Sequence, residues 1–352
     1  MKFKIDNYVL MNAVKMIAPF VPNKSPIASA ECIYIEAKQD GCVWLRSFDP
    51  MGAACALFVN ADVSQDGTAF VNAKTFVNIL GKMDDRETEI DCDEKICNIA
   101  QGEAVFSLGV ISDEYTKPNF VDGESIEIDG NEFVDLINGV AFAAASDQSV
   151  HRGIKFVSEM GTLTAVALDG YRMAIRTVAA QTEKEFIIPA KFLDDLRKVV
   201  SGKLKIFVDK KAARFQIDSF NITVPLLAGQ FLDYQSAMPK ACKTVVKMSK
   251  ADIVRKLERI DIINAVRVPI VMEFKNSECK ISTQNAVSAA RDVVPCEIKG
   301  DELKIAFNSL YLLDALKRCD EEITLELNGA IAPAVMRGEG YYYLVLPVRV
   351  RE

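Results

Sequence analysis

The chain has one histidine in 352 residues, and that scarcity removes many familiar catalytic and metal-binding arrangements at once. A Ser–His–Asp relay needs an imidazole base, which only His151 could supply, and nothing around it in the sequence completes a relay. His151 therefore reads as a surface or interface histidine. His-rich metal spacing is missing, and so are GxxxxGK[ST] and a GxGxxG opening a helix, which leaves no motif for cradling phosphates. The nine cysteines are odd in number and none has CxxC spacing, which argues against zinc and against a disulfide framework. Cys32, Cys55 and Cys97 fall in strand-like apolar runs, where a free thiol is a small core residue and a reducing cytosol fits best. Long apolar runs are missing too: Val134 to Ser146 is broken by Asp135, Asn138 and Gly139, so no segment reads as a membrane span. Lys2, Lys4 and Asp6 inside the opening segment argue against a signal peptide. A basic excess is also lacking, since the net charge of −7 gives no general prompt toward nucleic acid. The acidic clusters, such as Asp84-Asp85, Asp194-Asp195 and Asp320-Glu321-Glu322, read as solvated carboxylates at helix ends and turns. The chain is thus expected to be no enzyme, with no catalytic residue, metal or cofactor.

What is present is repetition. Phe3-Lys4-Ile5, the cap Asp6, then Leu10, Val14 and Ile17 recur as Ile126-Glu127-Ile128, Asp129, Phe133, Ile137 and Val140. They recur again as Val246-Lys247-Met248, Ser249, Ile253, Leu257 and Ile260. Alternation before the cap marks a strand, and spacings of four, four and three mark one stripe of a helix. Asp and Ser suit the junction because their oxygens accept from the first free helix N–H groups. A second element follows at nearly the same period. Val71-Asn72-Ala73-Lys74 leads to Phe76, Ile79 and Leu80; Ile188-Pro189-Ala190-Lys191 leads to Leu193 and Leu196; Phe307-Asn308-Ser309 leads to Leu312, Ala315 and Leu316. After each comes an alternating strand, around Ile90, Ile206 and Leu325. Two helices and their flanking strands that keep register through three copies indicate true duplication.

A period near 120 residues is too long for a solenoid and matches ordinary domains. Half of all residues are apolar, enough for a core in each. The text between the helices is strand-like, with segments including Cys32–Ala37, Val43–Ser47, Leu163–Leu168 and Tyr341–Val350 joined by turns such as Asp169-Gly170. The expected fold is α+β: three tandem domains, 1–124, 125–243 and 244–352, each with two helices on an antiparallel sheet. Short connectors, Asp122-Gly123-Glu124 and Pro239-Lys240-Ala241, predict domains held in fixed relation.

One hairpin carries more than fold. Leu163 to Leu168, the turn Asp169-Gly170, then Tyr171-Arg172-Met173-Ala174 resembles the hairpin of the bacterial DNA polymerase III β subunits, the sliding clamps. The closing Tyr343-Leu344-Val345-Leu346-Pro347-Val348-Arg349, the run Gly229 to Tyr234, the Phe307 to Leu313 helix and the opening Met1-Lys2-Phe3 resemble that family too, so the likeness spans the chain. It implies three DNA-clamp domains per chain forming half of a closed ring, two chains head to tail as a homodimer, with helices lining a hole around double-stranded DNA. Function would be topological, conferring processivity on the replicative polymerase catalytic subunit without sequence-specific binding. The clamp loader, repair polymerases and other linear-motif proteins would be further partners, in the cytoplasm at the nucleoid and away from any membrane.

The resemblance also implies sites. A peptide pocket between the second and third domains would comprise Leu168, Gly170, Tyr171, Arg172, Met173, Leu232, Ala237, Leu344, Leu346, Pro347, Val348 and Arg349. DNA contacts would fall to Lys24, Lys74, Gln148, Lys191, Arg197 and Lys198. Phe106 and Leu108 of the first domain would close the dimer against Ile262 and Ile263 of the third. Lys15, Lys82, Lys250, Arg255, Lys256, Arg259, Lys317 and Arg318 are also expected on helices, although acids are interleaved and the second domain's first helix carries Asp129, Glu132 and Asp135. Leu168, Leu232 and Ser236 depart from the family's usual Thr, Pro and Arg, and His151 takes a rim position commonly held by Leu. A tandem scaffold that binds only proteins is the rival reading.

Overall fold

The structure is a computed structural model that describes residues 1–115, 121–180, 184–263 and 268–349; the terminal Val350, Arg351 and Glu352 fall outside them. Each of the three repeats is itself a pair of βαβββ motifs. The first motif is β1 (Lys2–Asp6), α1 (Asn7–Ile17), β2 (Cys32–Lys38), β3 (Cys42–Phe48) and β4 (Ala54–Asn60), followed by a short β5 (Asp62–Gln65). The second is β6 (Gly67–Asn72), α2 (Ala73–Leu80), β7 (Glu87–Cys92), β8 (Ile96–Gln101) and β9 (Ala104–Ile111). The middle repeat holds β10 (Ser125–Asp129), α3 (Gly130–Val140), β11 (Gly153–Glu159), β12 (Thr162–Leu168) and β13 (Arg172–Ala179). It continues with β14 (Glu185–Pro189), α4 (Ala190–Leu196), β15 (Lys203–Val208), β16 (Ala212–Ile217) and β17 (Phe220–Pro225). The last repeat opens with β18 (Thr244–Ser249), α5 (Lys250–Asp261), β19 (Ile270–Lys275), β20 (Glu278–Gln284), β21 (Ala289–Pro295) and a short β22 (Glu297–Gly300). It ends with β23 (Leu303–Phe307), α6 (Ser309–Leu316), β24 (Glu322–Leu327), β25 (Ala334–Gly338) and β26 (Tyr341–Val345).

The two motifs of a repeat exchange their leading strands. β1 pairs with β7, placing Phe3 opposite Ile90; β10 pairs with β15, placing Ile126 opposite Ile206; β18 pairs with β24, placing Val246 opposite Leu325. In return β6 pairs with β2, β14 with β11 and β23 with β19. The two sequence signals that recur at one period are therefore direct partners across a ladder.

The chain forms two compact units. The first, Met1–Val134 with Lys191–Leu227, carries a 13-stranded sheet; there β17 pairs with β4 through Ile222 opposite Cys55. The second, Asp135–Ala190 with Ala228–Glu352, carries a nine-stranded sheet, in which β13 pairs with β26, and a four-stranded one in the order β21-β20-β19-β23. The middle repeat thus contributes strands to a sheet in each unit.

The predicted stripes are the buried faces. Leu10, Val14 and Ile17 of α1, Phe133, Ile137 and Val140 of α3, and Ile253, Leu257 and Ile260 of α5 are all buried, and each such side chain contributes about 1.5–3 kcal/mol through removal from water. The caps act as expected: Asp6 accepts from Tyr8 N, Asp129 from Asn131 N, and Ser249 from Asp252 N. Asn72 and Asn308 cap α2 and α6 in the same way. Pro189 ends β14 immediately before α4.

Three expectations are corrected. Cys92 and Cys97 are disulfide-bonded, because the β7–β8 register sets them opposite each other, a fact their spacing does not disclose. The last strand stops at Val345 rather than running to Val350, since Pro347 has no N–H to continue the ladder. Lys82, Arg197, Lys198, Lys317 and Arg318 lie just past helix ends, not on the helices. Cations are favoured there by the negative end of the helix dipole.

Burial pushes the thiols of Cys32 and Cys296 up to about 11 and those of Cys55 and Cys319 to about 12, while Cys242 is exposed. A thiolate-specific reagent at pH 7.5 is expected to modify Cys242 first, with those four reacting only on unfolding; peptide mapping of the labelled chain checks this. Gly139 supplies a second test. A Cβ there would meet Arg176 Cδ at 2.3 Å, so Gly139→Ala should lower the melting temperature, although helix propensity alone would stabilise it by about 1 kcal/mol.

Candidate functional site

The β12–β13 hairpin is built around its turn. Asp169 Oδ1 accepts from Tyr171 N at 2.9 Å and Arg172 N at 3.0 Å, and Gly170 takes the left-handed conformation, φ +86°, that such a turn requires. The ring of Tyr171 is left 61% exposed and stacks on Tyr311 of α6 with centroids 6.0 Å apart. Arg172 turns inward. Its Nε donates to Asp169 Oδ2 at 3.0 Å and its Nη1 to Asp314 Oδ2 of α6 at 2.6 Å, with the guanidinium 4.4 Å from the Tyr311 ring centre.

The last strand completes this surface. Met173 stands opposite Leu344 and Arg172 opposite Val345, and past the strand end Leu346 N donates to Tyr171 O at 2.8 Å. Leu168, Met173 and Leu344 are buried, Leu346 is exposed, and Pro347 and Val348 are half-buried. Val348 N donates to Ala306 O of β23, which carries the chain onto the smaller sheet. Arg349 accordingly lines a different feature, a 740 Å³ cavity with Pro269, Val271, Ser282, Gln284 and Arg291.

The connector residues Leu232 and Ala237 are exposed. Leu232 N donates to His151 Nε2 at 3.4 Å, and buried Phe231 meets the His151 ring edge-on at 5.0 Å. Ala237 N closes a turn onto Tyr234 O, and Ser236 holds the Asp233 carboxyl below the usual carboxylate range by hydrogen bonding. The structure therefore gathers Leu168, Gly170, Tyr171, Arg172, Met173, Leu344 and Leu346 into one surface. Tyr311 and Asp314 belong beside them and were missed. Their spacing of three on a helix whose stripe is Leu312 and Leu316 puts both on one flank, and that was the available signal.

Several of the basic candidates occupy helix starts and ends, while Lys24 lies in a loop and Arg255 within α5. Lys24 is exposed, and exposed Lys74 in the first turn of α2 lines a 240 Å³ cavity with Asn23, Asn72 and Asn78. Lys191 Nζ lies 3.6 Å from Asp49 Oδ2; Arg197 pairs with Asp194 at 3.1 Å and Lys198 with Asp195 at 2.7 Å. Gln148 accepts from Arg152 Nη1. On α3 the exposed residues are Asn131, Glu132 and Asp135. On α5, Arg255 pairs with Asp252 and Arg259 with Asp292, while Lys317 reaches Glu258 at 2.7 Å. Arg318 packs against Phe142 and donates to Asn138 O and Asp314 O.

Among the sheet edges of the described residues, two lie where the dimer contact is expected. β9 pairs with β8, and with β6 only at Val110 and Ile111, so residues 104–109 present one free backbone edge; Val105 is 61% and Phe106 43% exposed there. Leu108 is half-buried. β21 pairs with β20 alone. Ile262, 79% exposed, and half-buried Ile263 follow α5.

Repeated βαβββ pairs with exchanged strands, joined edge to edge into continuous antiparallel sheets, define a clamp-type α+β protein. Three family models match successive segments: the DNA polymerase III beta subunit N-terminal domain over 1–118, its central domain over 127–233 and its C-terminal domain over 235–349. The chain belongs to the DNA polymerase III beta subunit family, and its role is that of a DNA sliding clamp. It is 27% identical to the beta sliding clamp of Halalkalibacterium halodurans and 25% to that of Bacillus subtilis; each comparison covers 99% of this chain and all of the relative. The solved Bacillus subtilis sliding clamp shares the fold with a TM-score of 0.94 at 24% identity over the whole of both chains. A Pseudomonas aeruginosa sliding clamp bound to griselimycin is similar over 99% of this chain and all of its own, with a TM-score of 0.92 at 22% identity.

Arg172 offers a local test. Lysine cannot supply a planar fork to two carboxylates, so Arg172→Lys should destabilise the chain by about 1–3 kcal/mol in urea unfolding. Amide exchange should quicken selectively at residues 168–173.

Proposed function

We propose that two copies of this chain close into a head-to-tail ring around double-stranded DNA and slide on it without reading sequence. The observation that carries this reading is the open apolar edge of β9, where Val105 and Phe106 stand exposed beside unpaired backbone, a surface that single sheets normally blunt or cover. β21 supplies a second open edge, and Ile262 a second exposed apolar residue. A two-fold repetition of the β9-to-β21 contact, with Phe106 and Leu108 against Ile262 and Ile263, satisfies both edges and closes the assembly. The covalent repeats 1–124, 125–243 and 244–352 serve as its three domains, half of the ring.

In this reading the chain is an accessory, non-catalytic subunit of the replicative polymerase, acting in the cytoplasm at the nucleoid. No helix among the described residues is long and apolar enough to cross a membrane. Lys24, Lys74, Gln148, Lys191, Arg197 and Lys198 make weak phosphate contacts. Leu168, Gly170, Tyr171, Arg172, Met173, Leu344 and Leu346, with Leu232, Ala237, Pro347 and Val348, receive Leu- and Phe-anchored peptides from the polymerase catalytic subunit, the clamp loader and repair polymerases, and Arg349, turned to the separate cavity beside Arg291, is left out of that set. The buried Leu168, Met173 and Leu344 floor supports such anchors, and Arg172 serves mainly to brace the hairpin.

Protein threaded on nicked circular DNA should be retained through gel filtration and released when the circle is linearised; retention on linear DNA equal to that on circles refutes the topological reading. Phe106→Arg should shift solution mass from two chains to one at micromolar concentration and abolish retention, because a charge would then be buried in the apolar contact.

A further inference from the structure

His151 is left over by everything above, yet it is bonded to the connector that carries Leu232. Its Nε2 accepts the Leu232 N–H at 3.4 Å and its ring meets Phe231 edge-on at 5.0 Å, with Phe231 buried and Leu232 half exposed. The backbone of His151 is itself fixed: its N–H donates to Ser149 Oγ and its carbonyl accepts from Ala145 N at 2.9 Å. Gly229 packs at the neighbouring Val150, where a Cβ would come within 3.4 Å. The ring is thus an anchored acceptor and the connector segment is what it holds.

An imidazole nitrogen accepts a hydrogen bond only while it carries no proton. The geometry assigns His151 as a positioning residue for the proposed peptide pocket: its neutral ring, protonated at Nδ1, pins the Leu232 wall, and protonation at Nε2 releases it. This rests on the pocket reading given above. A second proton on Nε2 sets two donors face to face, so the bond is lost and the connector between Gly229 and Ala237 gains freedom that a bound peptide must then remove.

The charged groups around the ring come from three elements. On its own turn, Asp147 is engaged by Ser149, and Arg152 by Gln148. From β11, Lys155 pairs with Glu185 at 2.8 Å and lies 5.9 Å from the rings of Phe231 and Tyr234. From the connector, Asp233 is held by Ser236 and Tyr234 lies beside Lys155. Asp147 also acts on the ring through its charge, while among the ring's hydrogen bonds the one from the Leu232 amide is the bond that protonation at Nε2 breaks.

The chain's single histidine makes the test direct, because its imidazole resonances need no assignment. In the full-length unliganded protein the Leu232 amide nitrogen shift should titrate with the same midpoint as the His151 ring. Griselimycin, used as the probe, should bind roughly three- to tenfold more weakly at pH 5.5 than at pH 7.5, the size of one lost hydrogen bond. His151→Gln, whose amide oxygen accepts without titrating, should bind equally at both pH values and close to the pH 7.5 affinity of the unaltered chain. His151→Leu should be weaker and flat with pH. A Leu232 amide that ignores the ring's titration, a flat affinity in the unaltered chain, or full pH 7.5 affinity in His151→Leu overturns the assignment. Griselimycin failing to bind at either pH overturns the pocket reading instead, and the amide titration then still decides whether the ring holds the connector.

Discussion

The exchange of leading strands between paired βαβββ motifs is the constraint on which the rest of the molecule depends. Phe3 opposite Ile90, Ile126 opposite Ile206 and Val246 opposite Leu325 are the same contact made three times. Because β1 completes the sheet of the second motif while β6 completes that of the first, neither motif can bury its sheet without the other. A half-repeat would expose a row of unpaired backbone groups and the apolar faces of its helices. Duplication in units of two motifs is what the ladder permits, and the period near 120 residues follows from it.

The same pairing logic, continued past the repeats, produces the surface proposed to receive peptides. β13 ends its sheet neighbours at β26, so the Asp169-Gly170 turn is carried to the point where the last strand gives way to Leu346. The hairpin would be a loose tip if sheet bonding were its sole restraint. Arg172 ties it to α6 through Asp314 and Tyr311, a bond between helix and hairpin that is 142 residues apart in sequence. A guanidinium shared between two carboxylates and an aromatic face is restricted in every direction. The rigid side of the surface is thus Leu168 to Met173 with Leu344, whereas the connector side is held by the His151 ring together with the packing of Phe231 and the contacts of Lys155 with Phe231 and Tyr234.

Much of this was legible in the residues. Helix stripes, caps and the hairpin turn follow from spacing and side-chain chemistry that act within a few residues, and the buried faces match them except at Ile79 of α2, which is half-buried. What stayed hidden depends on register between distant strands. The Cys92–Cys97 bond, the inward turn of Arg172 and the divergence of Arg349 toward Arg291 are each set by which residue stands opposite which. Tyr311 and Asp314 were hidden for the same reason, since a helix flank announces its exposure but not its neighbour. The basic residues past the ends of α2, α4 and α6 were misread as helical because a cation continues the helical pattern in sequence while the last carbonyls attract it from outside the helix.

The charge distribution fits the mode of retention of the proposed ring. Binding through released counterions strengthens with each phosphate neutralised, so a protein that relied on it would present unpaired cations. Here Lys191, Arg197, Lys198, Arg255 and Lys317 each stand beside a carboxylate, and α3 exposes Glu132 and Asp135. Where both partners are exposed, as in Arg197–Asp194, Arg255–Asp252 and Lys317–Glu258, such a pair is worth about 0–1 kcal/mol, so in the proposed ring a passing phosphate could take the cation from its carboxylate and return it at little cost. A clamp held by topology gains from that exchange, because every contact that tightened the grip would also be a barrier to sliding. The acidic total of −7 and a DNA-encircling role are compatible on these terms: in the proposed ring the enclosure would retain the duplex, and the paired cations would keep it mobile.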